Sequence, residues 1–103
     1  MVDFRLTDAT PETRILLPGE IDPGWTLRRE LPVKAELDDD GTVIVSDEIF
    51  SRYGSGERLE EALEDYIADL TGYHETVAEY AADNHPKNKA LLEQLQEYLV
   101  HSD

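Results

Sequence analysis

The chain has 103 residues, 40% of them hydrophobic, so it is long enough to bury one modest core and apolar enough to fold. It contains no cysteine, which excludes disulfide bonds and thiolate chemistry. No apolar run approaches the roughly 20 residues of a membrane-spanning helix, and the first residues lack the basic and apolar stretches of a signal peptide. We therefore expect a single cytoplasmic domain over residues 1–103.

The charge balance narrows the classes of partner. The chain has 24 acidic and nine basic residues, for a formal net charge of -15. This charge repels nucleic-acid phosphates and anionic membranes, so neither is expected as a partner, whereas a basic protein would be attracted. The same charge also suits plain solubility or a saline habitat, since the chain has few lysines, and these alternatives stay open.

The first 30 residues form a poorly defined segment. Arg14-Ile15-Leu16-Leu17 is a short apolar run stopped by proline and glycine, which indicates a strand. Residues 21–25 are typical of a turn. Trp25, the single tryptophan, is expected at the edge of the core rather than at an interface.

The pattern is clearest from residue 31. Leu31, Val33, Ala35 and Leu37 alternate with polar residues, which predicts a half-buried strand. The run Asp38-Asp39-Asp40-Gly41 predicts a tight turn, and residues 42–46 are β-rich and return from it. A short third strand is predicted at Phe50-Ser51-Arg52-Tyr53, ended by Gly54-Ser55-Gly56.

A long amphipathic helix follows and ends near Asp83-Asn84. Its apolar positions recur at helical spacing: Leu59, Ala62, Leu63, Tyr66, Ile67, Leu70, Tyr73, Val77 and Tyr80. A second helix is expected within residues 84–103, with Pro86 in its first turn and a stripe of Leu91, Leu92, Leu95, Tyr98 and Leu99. The predicted fold is α+β: an antiparallel sheet of about three strands packed on the long helix, with a second C-terminal helix.

The residues that could carry chemistry do not form a recognised constellation. The three histidines are far apart in sequence, and Gly54-Ser55-Gly56 lacks the lysine of a phosphate-binding loop. Residues 36–47 place acids at positions 1, 3, 5 and 12 of a calcium loop, but their flanks are predicted strands, so a hairpin turn is the preferred interpretation. We therefore predict no catalytic, cofactor-binding or metal-binding residues and no enzymatic activity.

Residues from Leu31 to about Tyr73 resemble the N-terminal domain of HicB-family antitoxins. In that family a hairpin with an acidic turn precedes a short third strand, a glycine and a helix that begins with a Leu-Glu-Glu-Ala-like signature. The matching segments here are residues 35–41, 43–47 and 53–56 and Leu59-Glu60-Glu61-Ala62-Leu63.

The resemblance implies a degraded RNase H-like αβ fold without nuclease activity, which binds and masks a small basic ribonuclease toxin. The chain differs from the family pattern at residues 48–52, where the family has a proline-glycine segment. It also differs after the long helix, where we predict further helix rather than a strand and find no DNA-binding module.

The leading functional hypothesis is thus a non-catalytic, HicB-like interaction module, with antitoxin as its specific role. The residues expected to bind the partner lie before and after the third strand: Asp47, Glu48, Ile49, Phe50, Tyr53 and Glu57. The alternative is a structural or regulatory homodimer that pairs through the stripe from Leu91 to Leu99. A third hypothesis is small-molecule or cation binding by the acidic turn.

Overall fold

The computed structural model describes residues 6–8, 13–82 and 86–101 and confirms the α+β class. The strands are β1 Leu6–Asp8, β2 Thr13–Leu16, β3 Gly19–Asp22, β4 Trp25–Leu27, β5 Leu31–Leu37, β6 Val43–Ser46, β7 Tyr53–Gly56 and β8 Leu99–His101. The helices are α1 Leu59–Ala81 and α2 Pro86–Tyr98. Neither described helix is long and apolar enough to cross a membrane.

The strands form two antiparallel sheets, whereas the sequence predicted about three strands in one sheet. The larger sheet has the order β1-β2-β5-β6-β7, and the smaller has the order β3-β4-β8. The prediction omitted the strands of residues 6–27, apart from the run at Arg14–Leu17, because each of them is only three or four residues long. Such short strands have too few residues for a period of two to be visible.

The predicted hairpin of β5 and β6 is present. Gly41 adopts a positive φ of 90° at the turn, and its N–H donates to the Asp38 carbonyl over 3.0 Å. Asp40 Oδ1 accepts a hydrogen bond from the N–H of Thr42 at 3.0 Å, and contacts with Thr42 lower the pKa of this carboxyl. Since strands flank the turn, it lacks the two helices of an EF-hand.

The third strand lies later than predicted. It covers Tyr53–Gly56, so the glycines form the strand instead of ending it. A Cβ at Gly54 would overlap the backbone nitrogen of Tyr66 on α1, so the missing side chain allows β7 to lie directly on the helix. Glycine is normally unfavourable in a strand, but it is used where another backbone approaches this closely.

Both helices pack into one core that includes residues of both sheets. On α1 the buried apolar face is Ala62, Leu63, Tyr66, Ile67, Leu70 and Val77, as predicted, but Tyr80 is 55% exposed and is not part of it. Thr71 and His74 are buried on the same helix and were not predicted. Trp25 is 5% exposed, which confirms its place in the core.

The C-terminal segment is not entirely helical, contrary to the prediction. Helix α2 ends at Tyr98, and Leu99–His101 form β8, which pairs with β4. Leu95 and Leu99 are fully buried in the core, so the leucine stripe packs within the chain. The strand was missed because Leu99 continues the helical spacing of Leu92 and Leu95.

The close contact at Gly54 predicts opposite effects for two glycines. Gly54→Ala forces β7 away from α1 and should reduce the free energy of unfolding by about 3 kcal/mol. Gly72 lies in α1 with open space around it, so Gly72→Ala should instead stabilise the protein by about 0.5–1 kcal/mol. Urea denaturation of both variants tests this, and a neutral Gly54→Ala would contradict the contact.

The buried His74 predicts that stability depends on pH. Its ring packs edge-on against Trp25 at 5.0 Å, and its Nε2 has no hydrogen-bond partner in the described part of the chain. Burial, together with the nearby His101, lowers the pKa of His74 below its ordinary 6.5, against smaller opposing contributions from the Leu99 backbone and Glu75.

Below pH about 6.5 the unfolded chain therefore binds a proton at His74 that the folded chain does not bind. The contribution of His74 to stability is complete above this pH and is lost as the pH falls. We expect the unfolding free energy to decrease from pH 7.5 to pH 5.5, and His74→Phe to flatten this dependence, in denaturant titrations at each pH. An unchanged pH dependence in the variant would refute the assignment, and Tyr80→Phe is the surface control.

Candidate functional site

The segment from Asp47 to Glu57 contains every residue predicted to bind a partner, and Asp47 fixes its first turn. One carboxylate oxygen of Asp47 accepts the N–H of Phe50 at 2.5 Å, and the other accepts the hydroxyl of Tyr66 at 2.6 Å. The backbone N–H of Asp47 donates to the carbonyl of Arg52 at 3.1 Å. Burial, and then the negative charge of Asp47, raise the pKa of Tyr66, so its hydroxyl remains a proton donor.

A second attachment joins the same loop to the middle of α1. The Arg52 guanidinium donates to both carboxylate oxygens of Asp69, at 2.6 and 3.0 Å, and lies 4.5 Å from the ring centroid of Tyr73. Both charged side chains are about one-third exposed (33% and 35%), so water weakens the pair, but its two-bond geometry fixes the direction of the loop.

The edge strand β7 is held and covered by the helix. The N–H of Ser55 donates to a carboxylate oxygen of Asp65 on α1 at 2.9 Å. Since Ser55 N–H bonds to α1, Asp65 occupies a donor that an edge strand normally leaves open to another chain. Gly56 also lies close to α1, because a Cβ at this position would be 2.6 Å from the Cβ of Glu61.

The predicted partner-binding residues fall into two groups. Asp47 and Phe50 are each 6% exposed, and the Phe50 ring packs edge-on against Tyr98 at 5.6 Å, so both shape the segment from inside. Glu48, Tyr53 and Glu57 are exposed, with Tyr53 at 68%, and Ile49 is half-buried. The surface available to a partner therefore consists of the second group.

Three of the predicted residues, Asp47, Glu48 and Ile49, line a groove that the sequence did not predict. The groove has a volume of about 240 Å³ and is lined by Thr13, Pro32, Val33, Lys34, Ser46, Asp47, Glu48 and Ile49. Tyr53 lies beside it, since it pairs with Ser46 across β6 and β7. The far wall comes from β2 and β5, which no pattern in the sequence placed next to residues 48 and 49.

Helix α1 has an acidic exposed surface, and its first turns lie against β7. Helix α1 contains no lysine or arginine, and its exposed residues include Glu60, Glu61, Glu64, Asp65, Glu75 and Glu79. The segment thus combines an exposed aromatic ring and a small groove with neighbouring negative charge. A protein partner with apolar and basic side chains matches this arrangement.

A second, larger groove lies elsewhere and is an intramolecular contact region. It has a volume of about 410 Å³ and is lined by Arg28, Arg29, Glu93, Gln96 and Glu97. Arg28 donates to the Gln96 carbonyl at 3.2 Å, and Arg29 lies 3.5 Å from Glu97. These arginines therefore attach the end of α2 to the rest of the fold.

No group of three or more His, Asp or Glu residues in the described parts of the chain is arranged to hold a metal ion. The histidines that come close in space are His74 and His101, whose rings lie on Trp25 at 5.0 and 4.6 Å. A structural zinc site needs four ligands and a catalytic one needs three, so this pair has too few.

The Tyr66–Asp47 hydrogen bond should contribute strongly to the stability of this segment. Tyr66→Phe removes the hydroxyl and leaves one buried oxygen of Asp47 without that donor, which should cost about 1–3 kcal/mol of unfolding free energy. Tyr80→Phe, on an exposed tyrosine, should change it by less than about 0.5 kcal/mol. Equal effects of the two substitutions in thermal or urea unfolding would contradict the role given to this bond.

Comparison of the chain with protein-family models, with curated proteins and with solved structures returns no match.

Proposed function

We propose that the chain is a non-catalytic, HicB-like interaction module that binds a basic protein through the exposed residues of the segment 47–57. The observation that carries the proposal is the firm attachment of this segment to α1, which presents Glu48, Ile49 and Tyr53 on a fixed surface. A surface that is already ordered loses little conformational entropy when a partner binds.

The order of elements supports the HicB-like part of the proposal. The hairpin of β5 and β6, the strand β7 and the start of α1 occur at the segments that resemble the family. The acidic turn joins β5 to β6, and the glycines of β7 lie on the first turns of the helix. A strand that the sequence did not predict, β8, also follows the helices, although it comes after α2 and pairs in the smaller sheet.

The charge supports a basic partner. The net charge is -15, and Glu61 and Asp65 of α1 lie against β7, the strand that begins with Tyr53. Such an arrangement speeds the encounter with a basic protein and disfavours acidic ones. In the specific form of the proposal, the partner is a small basic ribonuclease encoded next to this chain, and binding in the cytoplasm masks its active site.

The homodimer formed through Leu91 to Leu99 receives less support. Leu95 and Leu99 are 0% exposed within a single copy, so the central residues of that stripe are occupied by the chain itself. Leu91, Leu92 and Tyr98 are half-buried against the same core. Pairing through this stripe would require α2 to separate from α1.

The proposal is tested by coexpressing the tagged chain with the product of the adjacent reading frame. We expect a stable complex and loss of the partner's toxicity. Tyr53→Ala should weaken the measured affinity about 30-fold, as expected when an exposed aromatic anchor is removed, and Glu48→Lys should weaken it further with added salt dependence.

The matched control is Tyr80→Ala. Tyr80 is also an exposed tyrosine, but it lies 14 residues beyond Tyr66, the helix residue that meets Gly54, which is about 21 Å along the helix. It should leave the affinity unchanged. If no neighbouring product copurifies and none is toxic alone, the antitoxin role is wrong.

A further inference from the structure

The outer face of the larger sheet is uncovered within the described chain. The inner face of this sheet is buried and carries Leu16, Leu31, Val33 and Val45. Gly54 also lies on the inner face, where it meets α1. The alternate residues point outward. They include Ile15 and Pro32 on one cross-strand row, Lys34 and Tyr53 on the next, and Glu36 and Ile44 on a third.

In this strongly acidic protein, the strand positions of the outer face carry one positive and one negative charge, and Glu48 borders the face at the groove. Among its described positions, Lys34 and Glu36 carry charge, and both are exposed on β5 with one residue between them. The exposed side of α1, by contrast, has six acids and no base. A second copy of a chain with net charge -15 is repelled most by the helix side and least by this sheet face.

We infer that the outer face of the larger sheet binds a second copy of this chain, with Lys34 of each copy paired to Glu36 of the other. A two-fold axis brings these charges together if it runs between the two facing sheets, at right angles to β5 and level with Ala35. The same axis places the row of Lys34 and Tyr53 in one copy on the row of Glu36 and Ile44 in the other. The exposed ring of Tyr53 then contacts Ser55 and Ile44 of the second copy. Such an interface is self-complementary, as a two-fold dimer requires.

The pairing has a property that a chance contact lacks. Around the axis the four charges alternate in sign, since Lys34 and Glu36 of one copy face Glu36 and Lys34 of the other. Changing one sign in each copy creates four like charges at the centre of the contact. Changing both signs restores the alternation without altering the net charge of the chain.

The size of the face determines how the dimer should be detected. Five strands spaced about 4.8 Å apart give the face a width of about 20 Å. Because the strands are also short, the area of this face is smaller than the roughly 800 Å² per partner of a standard interface. The association should therefore be weak and depend on concentration. It should also strengthen as salt rises from about 0.01 to 0.15 M, because salt screens the repulsion between the acidic surfaces.

Sedimentation equilibrium up to millimolar concentrations tests the inference on the wild type, Lys34→Glu, Glu36→Lys and the double exchange. The wild type should dimerise, each single variant should lose at least about tenfold in affinity, and the double exchange should recover it. Net charge alone cannot produce this pattern, since one single variant is more acidic than the wild type and the other is less acidic.

Controls of the same chemistry are Lys87→Glu and Glu79→Lys, both at exposed helix positions away from the sheet, which should leave the dimer unchanged. A wild type that stays monomeric at every concentration and salt level overturns the inference. So does a dimer that tolerates the single exchanges, or one that the double exchange does not restore. Tyr53 and Lys34 also border the surface proposed for a basic partner, so the two associations would exclude each other. Absence of the dimer still leaves the binding of a partner to be decided by copurification, its own experiment.

Discussion

The contact between Gly54 and the backbone of α1 at Tyr66 determines much of this structure. Because Gly54 has no side chain, β7 lies directly on the helix instead of standing one side-chain layer away from it. This short distance brings the hydroxyl of Tyr66 within 2.6 Å of Asp47 and the N–H of Ser55 within 2.9 Å of Asp65. A larger residue at position 54 would separate all of these groups together.

The segment 47–57 has two sides with different tasks. On the inner side, Asp47 and Phe50 are buried and join the loop to the core. On the outer side, Glu48 and Tyr53 are exposed and held in place by those inner contacts. The acidic residues therefore have different roles. Asp47 accepts two hydrogen bonds that stabilise the loop, whereas the glutamates of α1 lie on the outer surface.

Local patterns in the sequence were sufficient for the elements whose signals are local. The Asp-Gly turn, the period of the long helix and the burial of Trp25 all agree with the structure. The pairing of β2 with β5 and of β4 with β8 was not predictable, because β2, β4 and β8 are only three or four residues long and leave no periodic signal. The groove beside Ile49 was not predicted either, since it depends on Thr13 of β2 and on how residues 47–49 leave the hairpin.

Three features were missed where one residue type has two uses. Glycines that usually end a strand formed β7, because the neighbouring helix requires their small size. Leu99 has the spacing of a helical stripe but belongs to β8. His74, which no pattern in the sequence placed in the core, is buried against Trp25. In each case a long-range contact decided the outcome over the local pattern.

Native-state hydrogen exchange at the amides of Phe50 and Ser55 tests most directly whether α1 fixes the segment 47–57. These amides bond to the side chains of Asp47 and Asp65 and to no strand partner. If the segment is fixed as described, both should exchange slowly, with opening free energies close to those of the buried helix amides near Tyr66. Exchange of both amides at rates near those of an unstructured chain would contradict the account.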